Sequence, residues 1–209
     1  MIKNIVFDMG GVLINFDADK ILDNNKIFDE ADREICKKMV FKSQEWLDYD
    51  RGTCEKSDFH NFLDKMPPHL SKIFTHILLD ECFAEKQMPP YEFMDEFIGR
   101  LKNAGYKIFL LSNAGQDFYH YSKFVKCFRH FDGCFVSSDY KLLKPEPEIY
   151  SKFHEVFGLI PSECVFIDDV QANIAGAKNA GMNGICYSND RQEISELETE
   201  LKKLGVNFD

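Results

Sequence analysis

The first apolar run of the chain decides its fold: residues 5–11 read Ile-Val-Phe-Asp-Met-Gly-Gly. The three residues before Asp8 are β-branched or aromatic, which is typical of a short, fully buried strand. The two glycines that follow favour a tight turn. We therefore expect a strand over residues 5–7 with a carboxylate directly after it.

The second half of the chain repeats this pattern in alternation with helices. Further buried strands are predicted at residues 107–111, 134–136, 164–167 and 184–187, and helices at residues 91–104, 116–128, 147–157, 170–180 and 190–204. Strands that alternate with helices form a parallel sheet with helices on both faces. The predicted fold class is therefore α/β, with a doubly wound, Rossmann-like parallel sheet.

Residues 17–88 have a different character. Apolar residues recur there at helical spacing, as over residues 35–40, and the segment contains no strand-like run. We therefore expect a helical segment without a sheet of its own, inserted into the sheet domain. On this interpretation, residues 1–16 and 89–209 together form the core.

The composition argues against several classes of protein. The formal net charge is −10, and no block of Lys and Arg offers the basic face that nucleic-acid binding requires. The seven cysteines are odd in number and include no CxxC pair, so we expect neither a disulfide framework nor a zinc site. No apolar run is long enough for a signal peptide or a membrane span, so we expect a cytoplasmic protein with no membrane partner.

Acidic and hydroxyl residues stand at the ends of three predicted strands. Asp8, Ser112 and the pair Asp168-Asp169 each come immediately after an apolar run. Parallel α/β sheets bind ligands at the carboxyl ends of their strands, so these side chains are expected to converge. Gathered carboxylates repel one another unless a cation lies among them, and a site made of oxygen ligands suits Mg²⁺. A hydroxyl, backbone N–H groups and a lysine beside them suit a phosphoryl group.

Four segments carry a resemblance to a known superfamily. In chain order they are FDMGGVL at residues 7–13, LLSN at 110–113, LKPEPEIY at 143–150, and FIDD at 166–169 followed by Asn173. Each alone is typical of an ordinary strand end or loop. Together, in this order and over nearly the whole chain, they resemble the haloacid dehalogenase-like hydrolase superfamily. The branch that they resemble most holds sugar-phosphate phosphatases and the N-terminal phosphatase domain of soluble epoxide hydrolase.

The resemblance implies a Mg²⁺-dependent phosphatase that acts on a small phosphorylated molecule, with a sugar phosphate favoured. Asp8 is implied to be the nucleophile that forms an aspartyl-phosphate, and Lys144 to neutralise charge beside it. The implied metal ligands are Asp8, the backbone carbonyl of Gly10, Asp168 and Asp169. The implied phosphate-binding groups are Ser112, the backbone N–H of Asn113, and Lys144. Residues 17–88 resemble the cap that many members insert after the first motif.

Two further residues follow from this comparison. Asn173 lies four positions after Asp169, which on a helix would place it on the same face, so it is expected to orient Asp169. Gly10 stands where most phosphatases of the superfamily carry a second Asp, which protonates the leaving group and later activates water. General acid–base help of this kind is worth about 10²–10⁴-fold in rate. The branch that this chain resembles accepts glycine there, so we do not interpret Gly10 as a loss of activity.

Two alternative functions remain open from the sequence. One is a metal-independent dehalogenase, in which Asp8 attacks carbon; the acidic pair at residues 168–169 favours phosphoryl transfer instead. The other is a non-catalytic protein that binds a phosphorylated ligand, since a fold does not establish a function. In the helical segment, Trp46 is a candidate to stack on a sugar and Arg51 to bind a second anionic group, although both also suit structural roles. The sequence does not distinguish a monomer from a dimer.

Overall fold

The computed structural model describes residues 1–80 and 83–208. It contains one parallel sheet of five strands in the order β3-β2-β1-β4-β5. The strands are β1 (Asn4–Phe7), β2 (Lys107–Ser112), β3 (Gly133–Val136), β4 (Cys164–Asp168) and β5 (Asn183–Cys186). This is the α/β, doubly wound, Rossmann-like sheet that the sequence predicted.

The α-helices lie both between the strands and in the segment between β1 and β2. They are α1 (Ala18–Asn24), α2 (Glu30–Cys36), α3 (Gln44–Arg51), α4 (His60–Leu63), α5 (Pro68–Leu78), α6 (Phe83–Gln87), α7 (Met94–Asn103), α8 (Phe118–Tyr121), α9 (Ser137–Tyr140), α10 (Pro147–Phe157), α11 (Gln171–Asn179) and α12 (Ile194–Lys203). A π-helical turn covers Lys37–Phe41, and a 3-10 helix covers Lys56–Phe59. Within the described part of residues 17–88 the structure is helical, as predicted.

The register of the sheet brings three strand ends together. Phe7 at the end of β1 lies opposite Leu110 of β2 and Ile167 of β4. Because all five strands are parallel, the residues that follow β1, β2 and β4 emerge at the same edge of the sheet. This register places Asp8 between the other two strand ends.

Two apolar cores cover the two faces of the sheet. Alternate residues of β1 point in opposite directions, so Ile5 and Phe7 pack into one core and Val6 into the other. The first core continues into the helical segment, where it includes Phe74 and Leu78 of α5. The helices between β1 and β2 therefore share a continuous apolar core with the sheet.

The two passages between the sheet and the helical segment run side by side. An isolated antiparallel bridge joins Ile14 to Pro90, and the Tyr91 N–H donates to the Leu13 carbonyl at 3.0 Å. Tyr91 is held by this contact and residues 92–93 form a turn, so the helix predicted from residue 91 begins only at Met94. The domain boundaries at residues 16/17 and 88/89 stay a prediction.

The helix predicted at residues 116–128 is wrong in its length. The structure has only α8 there, followed by short 3-10 turns over Ser122–Phe124 and Lys126–His130. Val125 interrupts them with an extended backbone, φ −97° and ψ 102°, and its side chain is buried in the core. Burial of this β-branched residue therefore outweighs the local helical pattern.

Two expectations from the composition also bear on the described residues. The cysteines at positions 36, 54, 127, 134, 164 and 186 are all free thiols. Among the helices described, none combines the length and the apolar character that crossing a bilayer would need.

Candidate active site

Three carboxylates gather at the edge where β1 and β4 end. Asp8 follows β1, and its backbone N–H donates to the Ile167 carbonyl at 2.8 Å, which continues the strand pairing by one residue. Asp168 is the last residue of β4, and Asp169 follows it. One carboxylate oxygen from each of the three lies within 4.8 Å of the others. The structure therefore brings these predicted site residues together.

Lys144 lies between two of the carboxylates. Its Nζ is 2.7 Å from Asp8 Oδ1 and 2.7 Å from Asp168 Oδ2, and its side chain is only 1% exposed. The Phe166 ring lies 5.2 Å from the same ammonium group. A lysine buried to this degree carries its charge at a fixed position, which is what a transferring phosphoryl group requires.

The Asn113 side chain holds the backbone of Lys144 in place. Its Oδ1 accepts from the Lys144 N–H at 2.8 Å, and its Nδ2 donates to the Lys144 carbonyl at 3.1 Å. This two-point contact ties the end of β2 to a loop that is 31 residues away in the chain. The sequence had assigned only the backbone N–H of Asn113 to phosphate binding; the structure adds a positioning role for its side chain. Ser112, the last residue of β2, is buried at the same edge of the sheet.

Asn173 contacts Asp168 and not Asp169. Its Nδ2 lies 3.0 Å from both oxygens of the Asp168 carboxylate, which also accepts from the Val170 N–H at 2.8 Å. The expectation that Asn173 orients Asp169 is therefore wrong. The i, i+4 rule does not apply, because α11 begins only at Gln171 and Asp169 lies outside it.

Asp169 is half-buried, and Arg191 flanks it. Arg191 Nη2 lies 3.7 Å from Asp169 Oδ2 and donates to the Asp169 carbonyl at 3.1 Å. Gly11 has φ +68°, and a Cβ at that position would come within 2.9 Å of the Asp169 carboxyl group. Only glycine satisfies both the backbone angle and this close approach. The sequence offered no signal for Arg191, which lies in a polar loop far along the chain.

The electrostatics of the cluster leave negative charge uncompensated. Burial raises the pKa of Asp8 to about 7; Lys144 opposes the rise, while repulsion from Asp168 and Asp169 adds to it. Burial followed by repulsion from Asp168 raises the pKa of Asp169 as well. Burial alone would lower the pKa of Lys144, but the two aspartates beside it raise it. Three carboxylates around one ammonium group form an oxygen-only donor set that fits a divalent cation such as Mg²⁺.

A cavity of about 130 Å³ adjoins this cluster and is lined in part by Met9, Gly10 and Asn113. From the helical segment, Trp46 and Asp50 also line it. Trp46 lies in the wall of the cavity, where its ring packs against those of four phenylalanines at positions 16, 41, 59 and 83.

Arg51 is not positioned as an anion clamp. Its guanidinium forms two contacts with Glu146, at 2.5 and 3.0 Å, and Arg51 is not among the residues that line the cavity. Its role is therefore to bind the helical segment to the loop that carries Lys144. Sequence reasoning did not assign a role to Asp50, because nothing local distinguishes it from other acidic residues of α3.

Comparison with known proteins agrees with this geometry. A D-ribitol-5-phosphate phosphatase of Bacteroides thetaiotaomicron is 27% identical over 208 residues, which covers 94% of this chain and 98% of the relative. A sesquiterpene phosphatase of Aspergillus oryzae is 25% identical over 198 residues, covering 93% and 94%. A haloacid dehalogenase family enzyme of B. thetaiotaomicron, solved as a magnesium complex, superposes with a TM-score of 0.67 at 25% identity and covers 94% of this chain and 98% of that one.

The family itself is settled by a match over most of the chain. The haloacid dehalogenase-like hydrolase family matches residues 2–181, a range that contains every residue of the carboxylate cluster together with Lys144. The parallel sheet, its strand order and the relatives agree with the same assignment. The chain therefore belongs to the haloacid dehalogenase-like hydrolase family.

Proposed function

We propose that this hydrolase is a Mg²⁺-dependent phosphatase that cleaves a small phosphate monoester through an aspartyl-phosphate on Asp8. One observation carries the proposal: Lys144 lies 2.7 Å from both Asp8 and Asp168, with the Asp169 carboxylate in the same cluster. A buried cation beside a carboxylate nucleophile suits attack on a dianionic phosphoryl group. The two full-length relatives named as phosphatases support the same reaction.

Each residue has a role in this scheme. An oxygen of Asp8 attacks phosphorus, the bond to the leaving-group oxygen breaks, and water later releases inorganic phosphate from Asp8. The Ser112 hydroxyl, the Asn113 N–H and Lys144 hold the phosphoryl oxygens. Asp8, the Gly10 carbonyl, Asp168 and Asp169 would hold Mg²⁺, whose charge would offset that of the phosphoryl group. Asn173 and Val170 fix Asp168 in place for this arrangement.

We further propose that residues 17–88 form a cap over a core made of residues 1–16 and 89–209. The two passages at Ile14 and Pro90 support this division, because they lie side by side and are joined by backbone hydrogen bonds. A cytoplasmic location remains a prediction. A sugar phosphate, which the resemblance favoured, also remains a prediction, and the two full-length relatives are named for substrates of opposite polarity.

The dehalogenase alternative is less consistent with the site. Attack on carbon with loss of halide needs no group for a phosphate dianion or a metal ion, whereas this site gathers three carboxylates in an oxygen-only donor set. A protein that only binds a phosphorylated ligand would not need a nucleophilic carboxylate such as Asp8, which is buried beside Lys144. Both alternatives are separated from the proposal by a single assay.

The assay measures phosphate release from p-nitrophenyl phosphate with Mg²⁺ in large excess over the protein, and again in excess chelator. We expect activity with the metal, none in chelator, and recovery when Mg²⁺ is restored. A parallel incubation with a 2-haloacid measures halide release. Full phosphatase activity in chelator, halide release without phosphatase activity, or no activity in either incubation would reject the proposal.

A further inference from the structure

The cavity beside the carboxylate cluster is lined mainly by aromatic and aliphatic side chains. Phe16, Trp46, Phe59, Leu78 and Met88 are among them, and all come from the helical segment or its passages to the sheet. The Trp46 ring stacks on Phe59 with centroids 6.0 Å apart and planes 11° apart. These packed rings form a rigid apolar wall. Because the Trp46 ring already packs against phenylalanine rings, it is not available to stack on a sugar.

The polar groups of the cavity are mostly engaged with one another. Lys56 Nζ lies 2.5 Å from Asp117 Oδ2, and it also donates to the Asp80 carbonyl at 3.2 Å. The Tyr49 hydroxyl accepts from the Asp117 N–H at 3.3 Å, and the Tyr121 hydroxyl donates to a backbone carbonyl at 3.2 Å. A polyol buried here would leave hydroxyl groups without partners, which is unfavourable.

The size of the cavity sets the size of its occupant. Its volume is about 130 Å³. A cavity of about 150 Å³ lined by Leu, Ile and Phe binds benzene. Residues on both sides of the catalytic edge, Met9, Gly10 and Asn113, also line the cavity, so a phosphate ester bound at Asp8 would direct its alcohol portion into it.

Building on the proposed function, we propose that this cavity receives the leaving group of the substrate, a compact apolar alcohol of about six to eight carbon atoms. The substrate class is then an alkyl or arylalkyl monophosphate, and not a sugar phosphate. The cavity selects among substrates through its apolar contacts with the leaving group, because the phosphate-binding groups are the same for every ester.

A series of alkyl phosphates tests this directly. From methyl to hexyl phosphate, kcat/KM should rise about fourfold with each carbon, as expected for burial of one methylene group, and then level off or fall beyond about octyl. Glycerol 1-phosphate, the polar counterpart of propyl phosphate, should be no better than methyl phosphate. Glucose 1-phosphate or glycerol 1-phosphate exceeding the alkyl series would overturn the inference.

Enlarging the cavity should move the optimum. Leu78→Ala removes a buried side chain from the wall and should shift the preferred chain length upward by about three carbons. Leu101→Ala is the matched control: it removes an equally buried leucine from α7, outside the cavity. The same chain-length profile in both variants and in wild type would reject the cavity as the recognition site. Absence of phosphate release from every ester, p-nitrophenyl phosphate included, would instead reject the proposed function itself.

A second observation concerns Asp50, which lies near the carboxyl-terminal end of α3. It bears on the general acid that the glycine at position 10 cannot supply. Four consecutive residues dock this end of α3 onto the sheet domain. Tyr49 packs against Gly115, where a Cβ would lie 2.2 Å from its ring, and the Asp50 carbonyl accepts from Ser137 Oγ at 2.5 Å. Next, Arg51 pairs with Glu146, and Gly52 at φ +75° sits so close to Ser138 that a Cβ would be 2.3 Å from its carbonyl oxygen.

These contacts hold the Asp50 side chain in the wall of the cavity that Gly10 also lines. Burial raises the pKa of Asp50 to about 7, while the Trp46 side chain, the Gly115 N–H and Lys144 favour its charged form. The other titratable groups near it are Tyr49 on its own helix and Asp117, which forms an ion pair with Lys56. Among the described residues, no ion pair includes the Asp50 carboxylate.

We infer that Asp50 supplies the proton that Gly10 cannot. As the Asp8 oxygen bonds to phosphorus, the P–O bond to the alcohol breaks, and the Asp50 carboxyl proton passes to the departing oxygen. The resulting Asp50 carboxylate then takes a proton from the water that attacks the aspartyl-phosphate. Inorganic phosphate leaves, and both aspartates return to their starting state.

Asp50→Asn tests this role, because the amide keeps the shape but cannot exchange the proton. With hexyl phosphate, kcat should fall by about 10²–10³-fold, whereas with p-nitrophenyl phosphate, whose leaving group needs no proton, the aspartyl-phosphate should form at a rate within about tenfold of wild type. Asp48→Asn, on the same helix but outside the cavity lining, is the matched control and should change neither rate.

The pH profile supplies a readout that a structural role would not move. A donor with a pKa near 7 is protonated below that pH, so the wild-type rate on hexyl phosphate should fall as pH rises above about 7. The Asp50→Asn variant should lose that descending limb. Equal losses in the rate of aspartyl-phosphate formation on both esters, with an unchanged pH profile, would overturn the assignment.

Discussion

Replacement of Lys144 by methionine isolates the buried charge at the centre of the site. Methionine keeps an unbranched stem but removes the ammonium group that lies 2.7 Å from both Asp8 and Asp168. Breaking a buried ion pair by removing one partner typically costs about 3–5 kcal/mol, because the remaining charge loses its compensation. Here two carboxylates lose it together, with a third nearby.

The loss should appear in stability and in activity. For a chain of this size, about 3–5 kcal/mol corresponds to a fall in Tm of about 6–20 °C in metal-free buffer. Added Mg²⁺ should restore part of it, by about 2.7 kcal/mol at a hundred times the Kd. Removal of one donor from a charged transition state costs about 10²–10³-fold, and Lys144 also fixes Asp8, so kcat should fall by at least about 10³-fold.

Thermal unfolding with and without Mg²⁺, together with phosphate release, measures both effects. Lys152→Met is the matched control, since Lys152 lies on the surface in a pair with Glu155 and should change the free energy of unfolding by less than about 0.5 kcal/mol. If the Lys144 variant melts with wild type in metal-free buffer and keeps more than a tenth of its activity, the reasoning from the buried ion pair is refuted.

The remaining predictions concern the nucleophile, the turn after it and the passages to the cap. Asp8→Asn should abolish phosphate release while the circular dichroism spectrum is retained; activity above about a tenth of wild type would make Asp8 only a ligand. Gly10→Asp should fold, since its Cβ would meet its nearest atom at 3.5 Å, and it should restore hydrolysis of alkyl esters in the Asp50→Asn background. The proposed cap should move about residues 14–17 and 88–90, so hydrogen exchange there should slow when a phosphate analogue binds; unchanged exchange would argue against closure.

Much of the fold and the centre of the site could be predicted because their signals are local. Short apolar runs mark the strands, and the rule that parallel strands share a carboxyl edge places Asp8 beside Asp168, although the two are 160 positions apart. The contacts of Asn113, Asn173 and Asp50 could not be predicted in this way. Each depends on which side chain of a distant loop or helix meets it after packing, and no periodicity or spacing encodes that meeting.

The same distinction separates the chemistry from the choice of substrate. Of the groups proposed to bind the phosphoryl group, Asp8, Ser112 and Asn113 stand at strand ends, where the sheet register fixes them, and Lys144 lies in a loop beside them. These groups would serve any phosphate ester. Asp50 and most of the cavity wall come instead from the segment between β1 and β2, whose residues meet the sheet only through packing. Because Arg51 binds Glu146, and Glu146 also accepts from the Leu143 N–H at 3.1 Å, the docked end of α3 and the loop that carries Lys144 share one contact. On the proposed mechanism, a leaving group that fits the cavity would stabilise the arrangement in which both Asp50 and Lys144 are in place, whereas a leaving group that does not fit would lack that support.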